Sequence, residues 1–444
     1  MRPVLVGLDV GTTRVKAIAV AADGSVLAES AVATPWVHDG PQAEMAPEHL
    51  AQVLRDVLDG VVRHPGWPED GRAIGIGIAS MAEAGILMDG SGTPLAPIIA
   101  WHDPRGDVET LRSAVGIDAF ESHVGMRLNS KPSVTKLLWL QGNSDVGSAA
   151  TYLSVAEWVA YLLGADPASE LCLVSRTGLF DVVARAPWQA TLDLVGDLLP
   201  GPVVTAGDAV GRVGDDWPEP MRGAVITIAG MDHHAGAFAS GAATSQALFD
   251  SMGTAEALLR FTPGPLTHDD LRALAVDDIA VMWSVIPDHV CLLAAFLTGL
   301  SLERIAKTIG ATDRDQRLRI ASEALTTERG SLSLEDTAHD GLSIRGIDDS
   351  ARPAALWRAS VEDLLALSEA SVHRMTEIVG PPSSIVIAGG WIKDPMVAAT
   401  KRASLGEFRV SDVDEAGAMG AAMFAAIAAG VMQRPSASET PRWS

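Results

Sequence analysis

Asp232 stands just past a turn at Gly230, after a short apolar run from Val225 to Ile228. The run reads as a buried strand, and the small residues from Ala235 to Gly241 read as a helix. A carboxylate at such a junction can take a proton from an alcohol. The position also suits a helix N-cap, and the two roles are compatible. Asp9 closes a second apolar run that begins at Val4, and Gly11, Thr12, Thr13, Arg14 and Lys16 follow it. That turn lets backbone approach an anion, adds two hydroxyls and brings two cations to neutralise phosphate charge. Asp9 is placed to hold Mg²⁺ through water. Gly253 and Thr254 make a matching turn in the second half of the chain. Taken singly, each turn reads equally as an ordinary hairpin. Taken with Asp232, they read as parts for phosphoryl transfer, which needs positioning and charge stabilisation more than covalent help.

Other residues carry weaker signals. Gly389-Gly390 after an apolar strand suits close approach to a flat ring or a ribose, or a plain strand-to-helix turn. Trp101 can stack on a sugar or fill a core. His233 and His234 have no third His or Cys at metal spacing, so no zinc site is expected there. The chain has no Gly-x-x-x-x-Gly-Lys-Ser/Thr, and Gly75-Ile-Gly-Ile-Ala-Ser lacks the third glycine of a dinucleotide fingerprint.

The elements that must position these residues follow from periodicity. Val4–Asp9, Arg14–Val20 and Ser25–Ala33 read as a β-meander turning at Asp23-Gly24. Glu48–Arg63 has helical spacing, and Ala73–Ile78 is a buried strand. Asp278–Val285 and Val290–Phe296 fit either strand or buried helix. Ser301–Ile309, Ala354–Ile378 and Pro395–Leu405 read as helices, and Ser384–Ala388 as a strand. The polar stretch Thr326–Ser350 reads as a loop. Leu8-Asp-Val-Gly-Thr-Thr is echoed by Phe249-Asp-Ser-Met-Gly-Thr, which suggests an internal duplication. The expectation is an α/β protein of two related domains facing a cleft, residues 1–244 and 245–444.

Composition limits the class. A net charge of −23 without any Lys/Arg cluster argues against a nucleic-acid or anionic-membrane partner. The Ala/Gly-rich run from Ala416 to Met432 suits a buried helix better than a membrane span. The two cysteines, Cys172 and Cys291, read as buried hydrophobes in a reducing compartment. A cytoplasmic protein is expected.

With these residues in place, the chain resembles the FGGY carbohydrate kinases, of the actin, hexokinase and Hsp70 ATPase superfamily. Gly7-Leu-Asp-Val-Gly-Thr-Thr-Arg-Val-Lys16 is similar to the first phosphate motif of that family. Leu87 to Arg105, ending Ala-Trp-His-Asp-Pro-Arg, resembles its sugar-domain signature, and Lys136-Leu-Leu-Trp139 and Gly207-Asp-Ala-Val-Gly211 also fit. Gly230-Met-Asp-His-His is similar to the catalytic-base segment and Ser251-Met-Gly-Thr254 to the second phosphate motif. Ile387-Ala-Gly-Gly-Trp391 and Glu415-Ala-Gly-Ala-Met-Gly-Ala-Ala422 resemble the adenosine motif and closing helix.

The resemblance implies two RNase H-like (actin-type) domains flanking a deep cleft, and transfer of the ATP γ-phosphoryl group to a small sugar or polyol. It implies Asp232 as general base, with Asp9 and Asp232 around Mg²⁺. Gly11, Thr12, Thr13, Arg14, Gly253, Thr254, Gly299, Glu303, Gly389, Gly390 and Asp394 would contact the nucleotide. Glu83, Trp101 and Asp232 would hold the sugar, with His233 a further candidate. A homodimer is left open, as is a nucleotide-binding scaffold or sensor on the same fold. Ala82 replaces the Arg that glycerol kinases carry before this glutamate, and Asp394 replaces the commoner Asn or Ser.

Overall fold

The computed structural model describes residues 1–444 except 338–340, 350, 442 and 444. It divides into two compact units. The first comprises Met1–Ser245, Pro263–Cys291 and Val413–Ser444; the second comprises Gln246–Thr262 and Leu292–Asp412.

The first unit opens with the expected meander: β1 (Arg2–Val10), β2 (Arg14–Val20) and β3 (Val26–Ala33). Helix α1 (Pro47–Arg63) buries Leu50, Leu54, Val57, Leu58 and Val61, the stripe its sequence spacing predicts. β4 (Gly71–Ser80), β5 (Gly211–Arg212) and β6 (Val225–Met231) complete a sheet ordered β5-β6-β4-β1-β2-β3. β1, β4 and β6 are parallel, with Val10 and Met231 both opposite Ser80. Ligand sites in open α/β sheets lie outside this carboxyl edge.

A closing helix, Ala416–Ala428, lies on β1 and β4. The approach is so close that a Cβ on Gly7 would strike the Ala418 carbonyl, and one on Gly77 that of Ala421. This corrects the 1–244 and 245–444 division. The first crossing falls at Ser245, and the chain returns twice to the first unit. A helix of Ala and Gly has too little side chain to make its own core, so it belongs where glycine-bearing strands admit it.

In the second unit, β7 (Ala247–Met252), β8 (Glu256–Pro263) and β9 (His289–Phe296) are followed by α5 (Thr298–Thr308) and α6 (Arg314–Ala324). The ambiguous 290–296 run is therefore a strand. A hairpin, β10 (Ser333–Thr337) with β11 (Gly341–Arg345), comes next, then α7 (Pro353–Val379), β12 (Ser384–Ala388), α8 (Pro395–Leu405) and β13 (Arg409–Val410). The hairpin corrects the loop expected over 326–350. Its alternation was hidden by charge, yet Leu334, Leu342 and Ile344 pack into the core around Trp357. The sheet runs β9-β8-β7-β12-β13, with the short strand Ala280–Trp283, from the ambiguous 278–285 run, on the outer side of β9. β7 pairs antiparallel with β8 and parallel with β12, as β1 does with β2 and β4. The echo in sequence is thus an echo in topology.

Candidate active site

Asp9 is the last residue but one of β1, and Asp232 is the first residue of α3 (Asp232–Ala239) after β6. Both leave the sheet at its carboxyl edge, because β1 and β6 share a register against β4. A register shift between Ile228 and Gly230 re-aims the end of β6, and Gly230 takes φ +78 there. Asp232 is not the N-cap the sequence suggests. Met231 holds that position, and the Asp232 Oδ1 accepts from the His233 N–H at 2.7 Å.

Asp9 is electrostatically unusual. Its Oδ1 is buried with no hydrogen-bond partner among the described residues. Burial, and then the Asp232 carboxylate, push its pKa up to about 8; Lys16 opposes this and Glu415 adds to it. Lys16 ion-pairs with Glu415, at the N-cap of the closing helix. Gly417 of that helix faces the Asp9 carboxylate so closely that a Cβ would press on it. Two repelling carboxylates, one with an orphaned buried oxygen, form a donor set that suits a hard divalent cation. The residues present fit Mg²⁺.

Beside Asp232, His233 is half-buried, but His234 is a core residue. Its Nδ1 lies 3.4 Å from Cys172 Sγ, and burial, then His233 and Arg176, draw its pKa down to about 3. It stays neutral.

The turn after β1 is tied down from three directions. Gly11 N–H donates to Arg14 O at 3.1 Å, so this amide serves the turn itself. Thr34 Oγ1 donates to Gly11 O at 2.7 Å, and Trp36 Nε1 to Thr12 O at 2.8 Å. Trp101 Nε1 donates to Thr12 Oγ1 at 2.9 Å. Trp101 and the phosphate-type turn are thereby joined, which neither motif announces alone. Thr13 and Arg14 remain exposed.

Glu83 is held apart from that pair. It has φ +60, is buried, and its Oε1 accepts from Arg176 Nε at 2.7 Å and from Nη2. Arg176 Nη1 is buried with no partner among the described residues. Sequence reading missed Arg176, which lies far along the chain in no motif. It also missed Lys136 as a positioning group. Its Nζ donates to Asp103 O at 3.1 Å and Ser130 O at 2.8 Å, and burial pulls its pKa down to about 8.

The second unit gathers its own set. Gly253 N–H donates to Ala255 O at 2.9 Å, closing the β7–β8 turn, and Leu300 N–H donates to Thr254 O at 2.9 Å. Gly299 packs against this turn so tightly that a Cβ would strike Gly253 O. Gly389 has φ +102 and faces Met252 O with the same closeness. Beside these turns opens a cavity of about 490 Å³, lined by Gly253, Glu303, Arg317, Gly390, Trp391 and Asp394 among others. The Arg317 guanidinium stacks 4.5 Å over the Trp391 ring. Asp394 caps α8, accepting from Met396 and Val397 N–H at 3.0 and 3.2 Å. Burial raises its pKa, and its Oδ2 has no partner among the described residues. Glu303 is exposed and ion-paired to Lys307 at 2.9 Å. A cavity of this size, with a flat stacked wall and glycine turns at its rim, suits a nucleoside. α6, which supplies Arg317, went unread in the sequence because its buried face is only Ala321 and Ala324.

Solved structures show the fold. The chain matches a xylulose kinase from Rhodospirillum rubrum with a TM-score of 0.85 at 21% identity, covering 96% of this chain and 91% of that one. It matches a Plasmodium falciparum glycerol kinase with ADP with a TM-score of 0.84 at 17% identity, covering 98% and 91%. The fold is the two-domain, actin-like fold these structures share.

The sequence profile described as the FGGY family of carbohydrate kinases, N-terminal domain, matches residues 4–239. The chain belongs to that family. Curated relatives include a glycerol kinase from Aromatoleum aromaticum, 28% identical over 242 residues, covering 51% of this chain and 48% of that protein. An autoinducer-2 kinase from Escherichia coli is 25% identical over 475 residues, covering 96% and 86%. An apulose kinase from Pectobacterium atrosepticum is 25% identical over 287 residues, covering 60% and 56%. The match thus spans about half the length of the glycerol and apulose kinases. Among the described residues, no helix is long and apolar enough to cross a membrane.

Proposed function

We propose that this protein is an ATP-dependent kinase that phosphorylates a hydroxyl of a small sugar or polyol. The observation that carries the reading is the Asp9–Asp232 pair at the carboxyl edge of the first sheet, with its orphaned buried oxygen. Asp232 accepts the proton of the substrate hydroxyl as its oxygen attacks the γ-phosphorus. A new P–O bond forms, the β,γ-bridging P–O bond breaks, and ADP leaves with the bridging oxygen. Asp9 and Asp232 would hold Mg²⁺, which when bound spreads the charge of the phosphate oxygens.

The unit bearing Asp232 takes the sugar, and the unit bearing the 490 Å³ cavity takes the adenosine end of ATP. Thr12, Thr13, Arg14 and the Gly253-Thr254 turn serve the phosphates, and Gly299, Glu303, Gly389, Gly390 and Asp394 the nucleoside. Glu83, positioned with Arg176, and Trp101 line the sugar side, with His233 next to the base. Kinases for glycerol, apulose and autoinducer-2 among the relatives support a small polyhydroxyl acceptor. Cys172 and Cys291 are buried and form no disulfide, which suits a reducing cytoplasm.

A screen of sugars and polyols for acceptor-dependent ADP release tests the reading. At least one acceptor is expected to raise ADP release well above the ATPase background. ATP binding with no responding acceptor across the panel would favour a nucleotide-dependent scaffold instead.

A further inference from the structure

Away from any motif, three metal-ligating side chains meet in the first unit. His123 lies in the last turn of α2 (Ile117–Val124), His268 opens α4 (His268–Val276), and Asp181 belongs to a two-residue strand, Phe180–Asp181. One ligand atom from each lies within 4.8 Å of the others. Asp181 is buried, His123 half-buried and His268 exposed.

The hydrogen bonds around the imidazoles decide what they offer. His123 Nδ1 is 2.9 Å from Ala119 O, with Ser122 Oγ at 3.2 Å. His268 Nδ1 is 3.0 Å from Ser122 O. A carbonyl oxygen only accepts, so each Nδ1 carries the proton and each neutral ring keeps its lone pair on Nε2. Metal-bound histidines carry this same outer hydrogen bond, which fixes tautomer and ring angle. Asp181 is fixed likewise: Oδ1 accepts from Ala184 N–H at 2.8 Å, and Oδ2 faces His123 Nε2 at 3.9 Å. Trp188 stacks on the His123 ring at 4.9 Å and 9°, holding it in place.

We propose that His123, Asp181 and His268 form a Zn²⁺ site built from residues other than the Asp9–Asp232 pair. Two imidazole nitrogens and one carboxylate oxygen are a borderline-soft donor set, matched to Zn²⁺ rather than to Mg²⁺. Tetrahedral ligands about 2.0–2.1 Å from Zn²⁺ lie roughly 3.3–3.5 Å apart, so the three side chains, now within 4.8 Å of one another, need to draw together by about 1 Å or less to close the set. The fourth position is left to water or a small anion beside His268. The ion clamps α2 to α4, two helices already packed together.

Competition of the full-length, chelator-treated protein against a chromophoric Zn²⁺ chelator tests this, with wild type and His268→Ala compared. Wild type is expected to bind one more Zn²⁺ equivalent than the variant, or to bind it at least about ten-fold more tightly. Co²⁺ should give visible ligand-field bands in wild type that the variant lacks. His268→Gln and Asp181→Asn should lose the same equivalent while keeping side-chain bulk. Equal Zn²⁺ stoichiometry and affinity in wild type and all three variants, with unchanged Co²⁺ spectra, would overturn the assignment.

Discussion

Lys16 stands opposite Asp9 in the β1–β2 register, yet its ammonium ion-pairs with Glu415. The nearest cation is thereby shared away, and Asp9 keeps an orphaned oxygen and a raised pKa. The duplicate half differs in one contact. Asp250, on β7, is fully enclosed with Lys401 at 2.7 Å, a lysine it shares with Glu256, and burial still raises its pKa to about 7. One aspartate of the repeat therefore has a lysine at ion-pair distance, and among the described residues the other has none.

The first prediction concerns that cost. In the fold, Asp9 keeps its proton up to about pH 8, whereas the unfolded chain releases it near 3.8. Between those values the folded state binds the extra proton, so this group's contribution to stability falls as pH rises. Asp9→Asn removes the penalty. Differential scanning fluorimetry without metal should show the variant gaining on wild type between pH 5 and pH 8, by about 1–2 °C for each ~1 kcal/mol recovered. Mg²⁺ should raise the wild-type melting temperature more at pH 8 than at pH 6, and should not raise the variant's. A constant difference across the pH range would contradict this.

Glu415→Gln removes a negative neighbour of Asp9 and releases Lys16. Both effects favour the Asp9 anion and lower its pKa. The acidic limb of the kcat/KM profile for sugar phosphorylation should move to lower pH. An unmoved limb would separate Glu415 from the site's electrostatics.

Gly299→Ala places a methyl group against Gly253 O at the rim of the cavity. Backbone cannot yield as a flexible side chain can, so the turn must shift. KM for ATP should rise by roughly ten-fold or more, with KM for the acceptor little changed. Equal effects on both substrates would argue against a nucleotide role for this turn.

Arg176→Met leaves the Glu83 carboxylate buried and uncompensated. Losing one partner of a buried ion pair costs roughly 3–5 kcal/mol, so thermal unfolding should fall by several degrees or more. The double variant with Glu83→Leu should recover much of the stability but not the acceptor affinity. Recovery of both would make the pair purely structural.

Much of this site was legible in the sequence, and the reasons are local. Asp9, Gly11, Thr12 and Asp232 follow apolar β-branched runs, and strand ends are easy to place when alternation stops. The repeat of Leu8-Asp-Val-Gly-Thr-Thr marked two related sheets. Residues joined only by folding were not legible. Arg176 reaches Glu83 across 93 positions, and Trp101 reaches Thr12 across 89. The return of the closing helix to β1 was hidden too, because nothing in an Ala/Gly run says which sheet it will cover. Charge over 333–345 concealed a hairpin that buries Leu334, with Leu342 and Ile344 partly covered.

Single-turnover phosphotransfer by Asp232→Asn, measured beside its ATP affinity, probes the central claim most directly. Loss of a general base predicts a rate lower by about 10²–10⁴-fold, with ATP dissociation constants within about two-fold of wild type. Turnover at the wild-type rate in that variant would contradict the account.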